Sequence, residues 1–285
     1  MVTLHKYSLL MATCGLLAMT MLARPVAAQG SAIAHSWDAA ERLQKGSLDG
    51  LERLRFLTAL DFPPFNYLDA DGRLSGFNID LARAICAELE IANQCQIQAL
   101  PWDELQSSLK SGQGEAIIAG LTADIDSRQA LRFTRPYLWQ NARFVVMRGT
   151  ELALTGAGSL SGATVGVVAR SVHERMLRAY FPKATIASFA SEAAVLENLK
   201  SKKVDAIFGD GMAYSFWLGG AASADCCMFA GDPYYSSAFL GNGMRIAVRA
   251  EDTELEKSLN FALKAAQEKG VIDELYVKYF PVGFY

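Results

Sequence analysis

The chain has 285 residues, 51% of them hydrophobic, and a formal net charge of −3, with a sequence pI near 5.7. That length allows one large domain or two of ordinary size, each with its own core. A near-neutral balance without a clustered basic surface excludes nucleic acid as the expected partner.

The first residues read as a secretory signal over 1–28. Basic Lys6 precedes the apolar run Leu9 to Leu22, and Val26-Ala27-Ala28 supplies the small residues of a cleavage site. The run is too short and too interrupted by Thr to span a bilayer, which takes about 20 apolar residues. Cys14 sits inside it, behind Leu10-Met11-Ala12-Thr13, a poor lipoprotein box. A soluble, exported, periplasmic chain is expected. Residues 29–53 read as an N-terminal extension, with a short helical pattern around Trp37 to Leu43.

From Leu54 onward strands and helices alternate. Leu54 to Leu60 is strand-like, Asp69-Ala70-Asp71-Gly72 is a turn, and Phe77, Ile79, Leu81, Ile85 and Leu89 mark one side of a helix. The strand Gln96 to Leu100, an amphipathic helix bearing Trp102, Leu105 and Leu109, and the apolar strand Ala116 to Leu121 follow, giving a mostly parallel sheet. The same grammar restarts with strands at Ala163 to Ala169, Ala184 to Phe189 and Val204 to Phe208, and helices at Glu174 to Phe181 and Glu192 to Lys200. Arg143 to Arg148 and Asn242 to Arg249 read as two bridges, the second leading into helices Leu255 to Lys269 and Ile272 to Tyr279. The expected fold is two doubly wound α/β lobes joined by two crossover strands. Lobe one takes 54–146 and 244–285, lobe two takes 147–243, and a ligand cleft lies between them beyond the strands' carboxyl ends.

Export favours disulfides. Cys86 and Cys95 flank a helix-to-strand corner, and a bridge there stabilises by about 2.5 to 3 kcal/mol on the loop-entropy model. Adjacent Cys226 and Cys227 leave three states open: a vicinal disulfide, pairing with other chains, or buried thiols. With only His35 and His173 left after the leader, the paired spacing of a zinc site is missing, so neither metal nor cofactor is expected.

One stretch is more specific than this grammar. Phe62-Pro63-Pro64-Phe65, Asp71-Gly72-Arg73-Leu74 and Gly76-Phe77-Asn78-Ile79-Asp80-Leu81-Ala82, continued by Trp102-Asp103-Glu104-Leu105, Gly114 to Gly120 and Phe133-Thr134-Arg135-Pro136-Tyr137, resemble the family-three solute-binding proteins. These are type-two periplasmic binding proteins that serve amino-acid ABC transporters. In the second half Val165-Gly166-Val167, Val204-Asp205-Ala206 and Asp210 fit the same pattern, and the resemblance runs from about Leu54 to Phe280. It implies a monomer that closes by hinge motion around a small amino-acid-like ligand and presents the closed form to an inner-membrane permease.

The resemblance also assigns site residues. Asp210 is the ammonium partner, with a helix N-cap as the plain alternative. Gly120 and Thr122 end the lobe-one strand that offers a carbonyl and a hydroxyl. Arg128 is the carboxylate clamp, although an ungapped alignment puts the family's arginine on Ser127. Arg170 and Val172 replace two residues of a Gly-Thr-Thr segment, while the helix N-terminus at Ser171 still supplies amide donors and Arg170 adds a charge that suits a more anionic ligand. Phe62 and Trp102 wall the pocket, while Tyr137 and Trp139 pack near the crossover. Basic-amino-acid binders carry an acid at the place of Ala59, so the reading disfavours a basic ligand. Two other readings stay open. One is an accessory protein of a quinoprotein dehydrogenase, the other a cyclohexadienyl dehydratase-like enzyme with His173 or Glu174 as general acid.

Overall fold

The computed structural model describes residues 37–38, 40–121, 123, 127–152, 154 and 160–285, the side chains of Ser127 and Arg128 excepted. The signal read at 1–28, Cys14, His35, Thr122 and the Arg128 side chain lie outside them. All described residues fall in one compact unit. No described helix is long and apolar enough to cross a membrane.

The segment 40–53 holds no helix. It runs as an arm along the first lobe, because apolar side chains are spaced along it to reach the core. Trp37 is buried, and Leu43, Leu48 and Leu51 pack against the same cluster. The Arg135 guanidinium donates to both Glu41 carboxylate oxygens at 2.5 and 2.6 Å. At Gly46 a Cβ would fall 2.1 Å from the Glu254 carbonyl oxygen, so only glycine permits this approach. Ser258 Oγ then donates to the Gly46 carbonyl at 2.9 Å.

The first lobe is built from β1 (Leu54–Thr58), the hairpin β2 (Tyr67–Leu68) and β3 (Leu74–Ser75), α1 (Phe77–Glu88), β4 (Cys95–Ala99), α2 (Leu105–Lys110), β5 (Ala116–Ile117), α3 (Ser127–Ala130) and β6 (Leu131–Phe133). The second follows with β7 (Ala142–Met147), β8 (Thr164–Val168), α4 (Val172–Tyr180), β9 (Thr185–Phe189), α5 (Glu192–Lys200), β10 (Ala206–Asp210), α6 (Gly211–Gly219), β11 (Cys227–Tyr234) and α7 (Ser237–Leu240). The chain returns through β12 (Ala247–Arg249), α8 (Thr253–Glu268) and α9 (Val271–Tyr279).

The two sheets share one plan. The first runs β4-β1-β5-β12-β6 and the second β9-β8-β10-β7-β11. In each, four strands run the same way and one runs against them, β12 in the first and β7 in the second. The sheets are mostly parallel as expected, and the one reversed strand of each comes from the crossovers: each lobe takes in one strand that enters from the other. Placing 54–146 in lobe one puts β7 there, yet its hydrogen-bond partners are β10 and β11 of the second sheet. The crossing point is instead a bridge pairing Leu138 with Met244, closed by Met244 N–H to the Leu138 carbonyl at 2.8 Å and Tyr137 N–H to the Met244 carbonyl at 3.0 Å. Phe144 to Met147, within the first of the two expected bridges, is held inside a sheet.

The cores follow the lobes. In the first, Phe56 of β1, Phe77, Leu81 and Ile85 of α1, and Leu259 and Leu263 of α8 are fully buried in one cluster, at about 1.5 to 3 kcal/mol for each large side chain. In the second, Phe144, Phe208 and Leu177 are fully buried in another. The Cys86 and Cys95 sulfurs lie within bonding distance, as do those of Cys226 and Cys227. The second pairing departs from buried free thiols.

Candidate functional site between the lobes

The parallel strands of both sheets point their carboxyl ends toward the same gap. Phe62 follows β1, Trp102 follows β4 and Gly120 follows β5; Arg170 and Ser171 follow β8, Glu192 follows β9 and Asp210 ends β10. This is where ligands bind in doubly wound sheets.

Phe62 stands in a tight turn, its carbonyl accepting from Phe65 N–H at 2.8 Å and Asn66 N–H at 2.9 Å. Its ring stacks on Phe65 with centroids 4.7 Å apart. Beneath it lies Gly120, at φ 84°, where a Cβ would come within 2.7 Å of the Phe62 ring. Glycine thus lets the ring rest on the end of β5.

Across the gap Asp210 caps α6, its Oδ1 accepting from Met212 N–H at 2.8 Å and Ala213 N–H at 3.4 Å. The helix cap and the ligand-facing role are compatible, because a carboxylate has two oxygens. Oδ2 has no hydrogen-bond partner among the described residues. Burial pushes the Asp210 carboxyl upward, while His173 and the two amides pull it down. Burial likewise lowers His173, against the attraction of Asp210.

Phe62, Pro63, Pro64 and Phe65 from the first lobe, with Glu192, Asp210, Met212, Phe216 and Trp217 from the second, enclose a cavity of about 380 Å³. Ligand pockets of this kind are mostly apolar with a few placed polar groups. The sequence marks Glu192 only as a helical residue, and α6 only through the N-cap alternative for Asp210. Glu192 could have been found by the rule that strand carboxyl ends carry the site, applied to β9 as it was to β10. Burial and the charge of Asp210 both push the Glu192 carboxyl upward.

Other expected residues fall elsewhere. Trp102 is 51% exposed and lines a separate cleft of about 490 Å³ with Leu60, Asp61, Leu100 and Pro101. Arg170 and Ser171 line neither cavity. Ser171 Oγ is committed to its helix, accepting from Glu174 N–H at 3.0 Å and donating to the Val168 carbonyl at 2.7 Å. Arg170, at φ 62°, donates its N–H to Glu174 Oε2 at 2.6 Å. Glu174 also accepts from Ser188 and Arg178. Those hydrogen bonds hold its carboxyl at about 2, so it is ionised at neutral pH and has no proton to give as a general acid. Tyr137 is buried and donates to Asn78 Oδ1 at 2.9 Å. Trp139 exchanges hydrogen bonds with the Tyr285 hydroxyl at 2.8 Å. Both pack by the crossover as expected.

Two lobes of like topology, facing each other across a cavity whose wall carries Asp210 and Glu192, define a two-lobed solute-binding fold. The chain belongs to the bacterial extracellular solute-binding proteins, family 3, whose family model matches residues 54–282. It is 31% identical over 234 residues to an Escherichia coli (strain K12) protein provisionally named as an ABC transporter arginine-binding protein, covering 82% of this chain and 93% of the relative. It is 29% identical over 236 residues to the histidine-binding periplasmic protein of Salmonella typhimurium, covering 82% and 90%. The fold is similar to that of substrate-binding domain 2 of Lactococcus lactis GlnP in its open conformation, with a TM-score of 0.71 at 17% identity, covering 84% and 99% of the two chains.

Proposed function

We propose that this protein captures an amino acid between its lobes in the periplasm and delivers it to an ABC transporter. The observation that carries the reading is Asp210: a half-buried carboxylate with one oxygen fixed by the α6 amides and the other without a hydrogen-bond partner among the described residues, at the wall of the cavity. An α-ammonium offers that oxygen the charge-assisted hydrogen bond it lacks. Phe62 covers the ligand from lobe one, and Arg128 with Thr122 binds the carboxylate. The lobes close about the Leu138–Met244 bridge, with Gly243 at φ 80° able to absorb the dihedral change. Cys86–Cys95 forms a disulfide in the exported chain.

Relatives named for arginine and histidine binding lend nothing to the expectation that a basic ligand is disfavoured. Of the two general acids that the dehydratase reading names, Glu174 is ionised and tied down, which leaves that reading with His173 alone. A thermal-shift screen of refolded, ligand-stripped protein against amino acids, dicarboxylates, prephenate and arogenate tests the reading. A ligand at about 100 times its dissociation constant adds about 2.7 kcal/mol of stability. A large upward shift with an amino acid is expected; no shift with any amino acid contradicts the proposal.

A further inference from the structure

Among its described lining residues the cavity is charged on one side only. Its described lobe-one wall is Phe62, Pro63, Pro64 and Phe65, none of them ionisable, while lobe two contributes two carboxylates, Asp210 and Glu192. The two are separate in the chain, one ending β10 and one opening α5, and the fold brings them to one cavity. They lie within electrostatic reach: the negative charge of Asp210 is a cause of the raised Glu192 carboxyl, and both bear on the buried Tyr214 hydroxyl.

A neutral amino acid neutralises only one of these groups. Its ammonium pairs with Asp210, and Glu192, exposed with the lobes as they stand, has no second cation to meet when closure takes it out of water against the cavity's apolar walls, which is costly. A ligand with a second positive centre removes that cost. The usual structural role for Glu192, an acid in the first turn of a helix, is also met here, but it does not account for a place in the wall of the same cavity as Asp210. Ala59 is apolar and buried, so the first lobe offers no acid at the position where basic-amino-acid binders carry one.

The geometry points to Glu192 as the residue that reads the ligand's side chain, and to an amine or guanidinium as the group it reads. This rests on Asp210 holding the α-ammonium in that cavity. The test is calorimetric titration of stripped wild-type and Glu192→Gln protein with L-arginine, L-lysine and two neutral ligands, L-glutamine and the uncharged arginine isostere L-citrulline. Wild type is expected to prefer a cationic ligand by about tenfold or more, and Glu192→Gln to lose most of that preference while neutral ligands change by less than about threefold. A preference that survives in Glu192→Gln, or a wild type that favours neutral ligands, overturns the role of Glu192 and leaves amino-acid capture standing. A wild type that binds none of a full amino-acid panel overturns both.

Discussion

At the residue scale the second lobe uses its carboxylates in two opposite ways. Asp210 and Glu192 are pushed upward mainly by burial, and so are poised to take a cation. Glu174 is held at about 2 by Ser188, Arg178 and the Arg170 amide, and serves the helix. A folded-state value below the ordinary 4.5 means that Glu174 contributes stability fully above about 4.5, and that the contribution is lost as pH falls toward 2. Glu174→Gln is therefore expected to melt lower than wild type at neutral pH, and the two melting curves should converge near pH 2. A constant gap across that range in scanning calorimetry would remove the assignment. The place of Asp210 was legible because it ends an apolar strand; its role came from the family resemblance. That Ser171 spends its hydroxyl on a helix cap was legible only in part, since Ser-x-x-Glu is a capping pattern that the family resemblance outweighed.

At the element scale the turn after β5 fixes the aromatic wall. Gly120 combines φ 84° with 2.7 Å between a would-be Cβ and the Phe62 ring. Gly120→Ala should cost about 1 to 2 kcal/mol from the left-handed backbone alone and should also displace Phe62, weakening ligand binding beyond the loss of stability. Urea unfolding together with titration separates the two; a variant with unchanged affinity would show that Phe62 does not touch the ligand. Alternation of apolar strands and amphipathic helices made β1, β4, β8, β9 and α5 legible to within a residue or two. The elements that escaped were those whose pattern is set by partners far along the chain. The strand β11 carries Gly231, Asp232 and Pro233 and pairs only because β7 lies beside it. The apolar α6 shows no polar face because it packs against the cavity and the chain's last residues. Trp102 followed the right strand end, but its strand β4 is the sheet edge, and the side chain turns into its own cleft.

At the scale of the whole molecule the two sheets repeat one order, and each is completed by a strand that enters from the other lobe. The repetition could be read in the sequence. The boundary could not, because a crossover strand such as β7 looks the same whichever sheet it joins; only the register against Phe208 and Phe229 decides it. A third tie joins the lobes beyond the two crossovers. Buried Arg143 donates to the Phe284 carbonyl at 2.8 Å and the Gly231 carbonyl at 2.9 Å, so the chain's last residues are held against β7.

Central to this account is capture of an amino acid by Asp210 in the cavity between the lobes. Calorimetric titration of stripped wild-type and Asp210→Ala protein with the amino acid that gives the largest thermal shift tests it most directly. The account predicts one site per chain in wild type and a loss of affinity of about a hundredfold or more in Asp210→Ala, as truncating one partner of a buried charge pair costs about 2 to 5 kcal/mol. Equal affinity in the two folded proteins would contradict it.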